Sequence, residues 1–162
     1  MKKVIVIGCP GAGKTTFAEK LQKSTGLPLY YLDAIWHKPD RTHIPRPVFD
    51  SRLAEIMGEG AWIIDGNYSR TLEVRIQHCD TVFFFDLSTE DCLWGATERL
   101  GKGRYDMPWI DTELDPRLKE EIEGFSKNVR PKIMELLDRY SNGRQIVIFN
   151  DRKAADDFIS NL

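Results

Sequence analysis

The sequence predicts an α/β fold: a five-stranded parallel sheet sandwiched by helices. Three observations lead there. Five short apolar runs alternate with stretches of helical pattern along the chain. The central three runs are nearly continuous in apolar or aromatic residues, as strands covered on both faces must be. And the nonapeptide "GCPGAGKTT" stands directly behind the apolar "VIVI", where a strand would hand over to a helix.

The elements follow in order. Strands are expected over 3–7 ("KVIVI"), 27–32 ("LPLYYL"), 61–65 ("AWIID"), 81–87 ("TVFFFDL") and 144–149 ("RQIVIF"). Helices are expected near 14–24, 46–58, 70–78, 89–101 and 116–141, with a last one near 152–160. Right-handed crossovers should link the parallel strands. Two stretches resist regular assignment. Residues 33–47 hold three prolines among aromatic and basic side chains, and 101–116 mix Gly, Pro, Trp and Arg. Connections of that length are usually functional, and both are candidate lids.

Composition narrows the class. The chain has 162 residues, 41% hydrophobic and 30% charged, which suits one globular domain with a real core. We expect a single domain over 1–162, with an acceptor-side insert about 33–60 and a short lid about 101–116. No apolar run approaches a membrane span, and the run after "MKK" is too short for an export signal. Cys9, Cys79 and Cys92 are odd in number and lack metal-ligand spacing, which suits reduced thiols in the cytoplasm. A net charge of −2 gives no general attraction to nucleic acid, so direct binding to it is not expected. The oligomeric state, monomer or homodimer, is left open.

Residues Gly8 to Thr15 fit G-x-x-x-x-G-K-[ST] between a strand and a helix. Glycines let the backbone curl so that successive N–H groups face phosphate oxygens, and the helix N-terminus adds partial positive charge. Gly8, Pro10, Gly11, Ala12, Gly13, Lys14, Thr15 and Thr16 are therefore the candidate nucleotide-binding residues. Lys14 would serve the terminal phosphates of ATP, and the Thr15 hydroxyl would ligate Mg²⁺.

The runs "GCPGAGKTT", "YYLDAIWHKP", "AWIIDGNYSRT", "DTVFFFDLSTEDCLW" and "NVRPKI" resemble the P-loop kinases related to adenylate and shikimate kinase. They look most like the group known as DNA topology modulation proteins, with "DGNYSRT" the more specific run. The resemblance implies an adenylate kinase-like P-loop NTPase fold, ATP and Mg²⁺. Asp65, at a strand end before Gly66, matches the kinase aspartate that holds a water on the metal; a turn or cap role is the other reading. Asp33 matches the shikimate-kinase aspartate that contacts the acceptor hydroxyl, against a helix cap or loop hydrogen bond. Asp86, beside apolar residues, is read as structural.

Cations for the transferring phosphoryl group are sought among Arg70, Arg99 and Arg104, with Arg75 and Arg130 as further candidates. Nucleoside monophosphate kinases carry an arginine near Arg70 in a shorter "DGxPR" arrangement; this chain has one residue more. Its lid is also shorter and poorer in arginine than that of adenylate kinase. Trp36, His37, Lys38 and Tyr68 could line an acceptor pocket, or Trp36 could anchor its loop on the core. His43 and His78 have no recognisable partners in the sequence. Asn150, Arg152 and Lys153 fall where this class of fold packs a loop over adenine, although helix-start signals explain Asn150 and Asp151 as well.

Three functions are compatible with these residues. The first is transfer of the γ-phosphoryl group of ATP to a small-molecule hydroxyl. The second is a nucleoside monophosphate kinase, and the third a nucleotide-dependent regulatory protein linked to DNA topology.

Overall fold

The computed structural model covers residues 1–162. Its five strands are β1 (Lys3–Gly8), β2 (Leu29–Tyr31), β3 (Trp62–Asp65), β4 (Thr81–Phe85) and β5 (Gln145–Phe149). They form one parallel sheet in the order β2-β3-β1-β4-β5. The helices are α1 (Lys14–Thr25), α2 (Leu32–Trp36), α3 (Arg46–Gly58), α4 (Ser69–His78), α5 (Thr89–Glu98), α6 (Pro116–Asn128), α7 (Arg130–Arg139) and α8 (Arg152–Ser160). The α/β sandwich expected from the sequence is the architecture observed.

Strand composition follows position in the sheet. Central β1 is flanked on both edges and covered on both faces, and Val4, Ile5, Val6 and Ile7 are wholly buried. Its neighbours β3 and β4 are buried at every position. Edge strand β5 keeps Gln145 and Ile148 exposed, as one-sided packing allows. On one face Phe17 of α1 packs edge-on against Phe83, Phe85 and Phe149, with ring centroids 4.8–5.4 Å apart. Phe158 of α8 closes that cluster against Phe83 at 5.0 Å.

Two local expectations are corrected. The helix expected over 116–141 is two helices, α6 and α7, broken at Val129 (φ −118°). Pro131 causes the break: it has no N–H for a helical hydrogen bond and sits in the first turn of α7, where none is required. Residues 33–47 are not structureless either. Leu32–Trp36 form α2, and His37 then pairs with His43 across a turn in which Arg41 takes φ 66°. The stretch 101–115 carries no helix or strand.

The register decides what meets at one end of the sheet. Asp65 lies beside Val6 on one side and Tyr31 on the other. The glycine-rich loop after β1, Asp65, and the start of α2 after β2 are thereby gathered at the strand carboxyl ends, where ligands of open α/β sheets bind.

Candidate functional site

The loop after β1 is built for close approach. Gly11 has φ 79°, and a Cβ there would stand 2.1 Å from the carbonyl oxygen of Cys92 in α5. Only glycine lets the loop lie against that helix. Gly13 caps α1 in the left-handed region (φ 104°), with no side chain accepting from the first turn. The opening N–H groups of α1 are thus left for an outside acceptor, which is what an anion needs. Lys14 spans the loop, its Nζ donating to the Cys9 carbonyl at 2.8 Å.

Beside it, Thr15 Oγ1 stands 2.7 Å from Asp65 Oδ2 and 3.4 Å from Asp106 Oδ2. A hydroxyl carries one proton, so the shorter contact takes it. Asp65 is 4% exposed, and its other oxygen, Oδ1, is buried without a hydrogen-bond partner. Burial, with Asp33 and Asp106 nearby, pushes its carboxyl up to about 7 against the opposing pull of Lys14 and Thr15. An orphaned carboxylate oxygen beside a threonine hydroxyl and a second carboxylate is a hard-oxygen donor set. It fits Mg²⁺, which takes few protein ligands and completes its shell with water and phosphate. Thr15, Asp65 and Asp106 are the residues that would hold it.

Asp106 was not legible as a site residue. It lies in the stretch 101–115, and Arg104 fixes it through Nε and Nη2, both at 2.9 Å. At 4% exposure it is a carboxylate from that stretch brought against Thr15, at the end of the glycine-rich loop. The one available signal was an acidic residue between Arg104 and Trp109 in a loop too irregular to pack on its own.

Asp33 is the second residue of α2, which follows β2 directly, and Tyr68 Oη donates to its Oδ1 at 2.7 Å. Tyr68 is held at φ 29°, unusual for a side chain of that size. Arg75 holds it there. The wholly buried guanidinium donates to the carbonyls of Gly66, Asn67 and Tyr68, at 2.8, 2.5 and 3.0 Å, and to Thr71 Oγ1 at 3.3 Å. Burial lowers its pKa to about 10. Arg75 is therefore a scaffold for the Gly66–Tyr68 turn, not a free cation.

Two clefts flank this group. One, of about 470 Å³, runs along Gly13, Thr16, Trp94, Tyr105 and Arg152. The other, of about 490 Å³, runs along Asp33, Trp36, Asp65, Tyr68 and Trp109. Lys14, Thr15, Arg99, Arg104 and Asp106 line both, so the clefts meet at the phosphate loop.

No family model matches the chain, and no curated protein sequence matches it. Solved structures do. Shikimate kinase from Acinetobacter baumannii in complex with shikimate superposes with a TM-score of 0.64 at 16% identity. The match covers 99% of this chain and 90% of that one. Shikimate kinase from Bacteroides thetaiotaomicron superposes with a TM-score of 0.59 at 16% identity, covering 98% and 94%. The chain has the P-loop kinase fold.

Within that P-loop kinase fold the arginines sort clearly. Arg99 lines both clefts and forms no ion pair. Its pKa is lowered by burial first and by Arg104 second. Arg104 lines both clefts but is paired with Asp106. Arg70 is not brought to either cleft: it turns towards α3 and pairs with Asp50 at 2.5 and 3.1 Å. Arg130 is likewise engaged, gripping Asp86 at 2.7 and 2.8 Å and giving that aspartate the structural partner expected.

Of the other sequence candidates, Thr16 and Arg152 line the first cleft and Pro10 the second. Arg152 buttresses the P-loop, donating to the carbonyls of Gly11 (2.8 Å) and Asp91 (2.7 Å) beneath the Trp94 ring. Gly8 and Ala12 shape the loop from behind, and Asn150 faces solvent outside both clefts. Trp36 anchors its loop on the core, edge-on to Phe49 at 5.5 Å, stacks on His43 at 4.2 Å and also lines the second cleft. His78 bonds the Val74 carbonyl, away from the site.

Proposed function

We propose that the protein is an ATP-dependent kinase that transfers the γ-phosphoryl group of ATP, with Mg²⁺, to the hydroxyl of a small molecule. The observation that carries this reading is Asp33. Its carboxylate is aimed by Tyr68 into the cleft that ends on Lys14, Thr15 and Asp65. A nucleoside monophosphate presents an ionised oxygen and needs no base, whereas a hydroxyl does. The narrower likeness to DNA topology modulation proteins rests on the run Asp65 to Thr71 and concerns a group name, not an activity.

In this reading ATP lies in the cleft of Gly13, Thr16 and Arg152, which we call the nucleotide cleft. The acceptor enters the cleft of Asp33 and Trp36, the acceptor cleft. Asp33 takes the proton of the acceptor hydroxyl as its oxygen bonds to the γ-phosphorus. The bond from that phosphorus to the β,γ-bridging oxygen breaks, and its electron pair leaves on ADP. Lys14 and Arg99 face the charge that spreads over the transferring group. Mg²⁺, when bound, neutralises charge on the β- and γ-phosphate oxygens. Arg104 and Asp106 close the lid over the junction and exclude water, which suppresses hydrolysis.

The test is ADP formation from ATP in the presence of hydroxyl acceptors, beside the same assay with nucleoside monophosphates. Acceptor-dependent turnover with a hydroxyl compound is expected. Turnover with a nucleoside monophosphate alone would replace this reading by the nucleotide-kinase one.

A further inference from the structure

The acceptor cleft is poor in the free cations an anionic acceptor needs. Arg70, Arg75 and Arg130 are all committed elsewhere, to Asp50, to backbone carbonyls and to Asp86. Within the cleft, Arg41 lies over the Trp109 ring at 5.1 Å and 3.8 Å from Asp111. Arg104 is bound to Asp106. Lys14 and Arg99 stand at the junction with the nucleotide cleft, on the phosphate side. Arg117 is the remaining uncommitted cation, exposed at the start of α6.

The acidic side of the same cleft is the opposite case. Glu121, on α6, lines it and has neither a hydrogen-bond nor an ion-pair partner. Glu121 is solvent-exposed in the free protein. Its carboxyl is nevertheless raised above the ordinary glutamate range, by burial first and also by Asp33, against the pull of Lys14 and Arg99. Glu121 thus lines the same cleft as Asp33 and the indoles of Trp36 and Trp109, and an unpartnered carboxylate in a cleft that also offers aromatic rings suits a positively charged nitrogen.

We propose that the acceptor is a hydroxyl compound bearing an ammonium group, an amino alcohol or amino sugar, whose nitrogen is held by Glu121 while Asp33 faces its hydroxyl. This rests on the kinase reading and deepens it. Glu121 is then a specificity residue: it orients the acceptor and takes no part in proton transfer. A carboxylate or phosphate on the acceptor would instead meet Glu121 and Asp33 with like charge.

Binding is measured by ligand-induced thermal shift with a non-hydrolysable ATP analogue present. Hydroxyl compounds of similar size and different charge are compared: ethanolamine and glucosamine, ethylene glycol and glucose, glycolate and glucuronate, with shikimate added to the acids. The amino compounds should bind best. Glu121→Gln should weaken their binding about tenfold or more and abolish the preference over the neutral members, with affinity for the ATP analogue unchanged. Equal shifts across the charge classes, including none, would overturn the proposal, as would preference for the acids or an amino preference that survives Glu121→Gln. ADP formation is read separately on the same compounds. Charge-selective binding without turnover would leave the acceptor site standing and count against the kinase reading alone.

Discussion

Thr15 Oγ1 donates to Asp65 Oδ2 at 2.7 Å, joining the first turn of α1 to the end of β3 across the mouth of the sheet. That single proton satisfies one oxygen of a carboxyl group whose other oxygen is buried without a partner. Burial without a second partner therefore disfavours the charged form of Asp65.

That penalty has a pH signature. The folded-state pKa of Asp65 is raised to about 7, so folding favours its protonated form. The associated stability is fully present below about pH 4 and is lost as pH rises through about 7. Asp65→Asn removes the buried charge. Without ligands it should melt higher than wild type at pH 8, by a few °C for each ~1 kcal/mol gained. The advantage should shrink towards pH 4. Differential scanning calorimetry at the two pH values checks this, and an equal or lower melting temperature at pH 8 would refute it.

Asp106 ties the lid to the same point. Asp106→Asn keeps its size but loses the charge that Arg104 grips and that would face Mg²⁺. Hydrogen exchange across 101–115 should speed up in the free protein, and Mg²⁺-dependent protection by ATP should weaken. Unchanged exchange in both states would show that the lid is held by its other contacts.

Arg75→Met should destabilise the fold by on the order of 3 kcal/mol, because one buried and two half-buried carbonyls lose their donor. Arg75→Lys should recover only part, since an ammonium cannot reach as many acceptors as the planar fork. Denaturant unfolding of the two variants measures both numbers. A loss below about 1 kcal/mol for Met would place the support of the Tyr68 turn elsewhere.

What was legible in the sequence was local. The loop from Gly8 to Thr15 declares itself because the glycines, lysine and threonine that build it are contiguous. The strands declare themselves because burial on both faces leaves unbroken apolar runs. Asp65 was findable because it ends β3, and Asp33 because it closely follows the apolar run that forms β2. The hidden part is long-range: Asp106 reaches Thr15 from 91 residues away, and Arg130 grips Asp86 across 44. Nothing local distinguishes Arg70, spent on a surface pair, from Arg99, left free at the junction of the clefts. Pro131, by contrast, is a local mark of the break between α6 and α7 within an otherwise helical pattern.

Lys14→Ala should abolish both transfer and ATP hydrolysis while leaving the circular dichroism spectrum and cooperative melting intact. In the proposed site the lysine would serve phosphate oxygens, and in the free protein it contributes only one hydrogen bond, to Cys9. A folded Lys14→Ala protein with an unchanged ATPase rate would contradict the phosphate-cradle assignment.

The kinase reading stands or falls on Asp33. The measurement is the rate of phosphoryl transfer to a hydroxyl acceptor in Asp33→Asn, alongside ATP affinity in the same protein. Asparagine keeps the size and the hydrogen bond to Tyr68 Oη but loses the basicity. Transfer should fall by about 10²–10⁴, the usual worth of general-base assistance, with ATP affinity near wild type. A fall of less than about tenfold, or a loss of ATP binding, would contradict the account, because Asp33 would then not be the base for a hydroxyl.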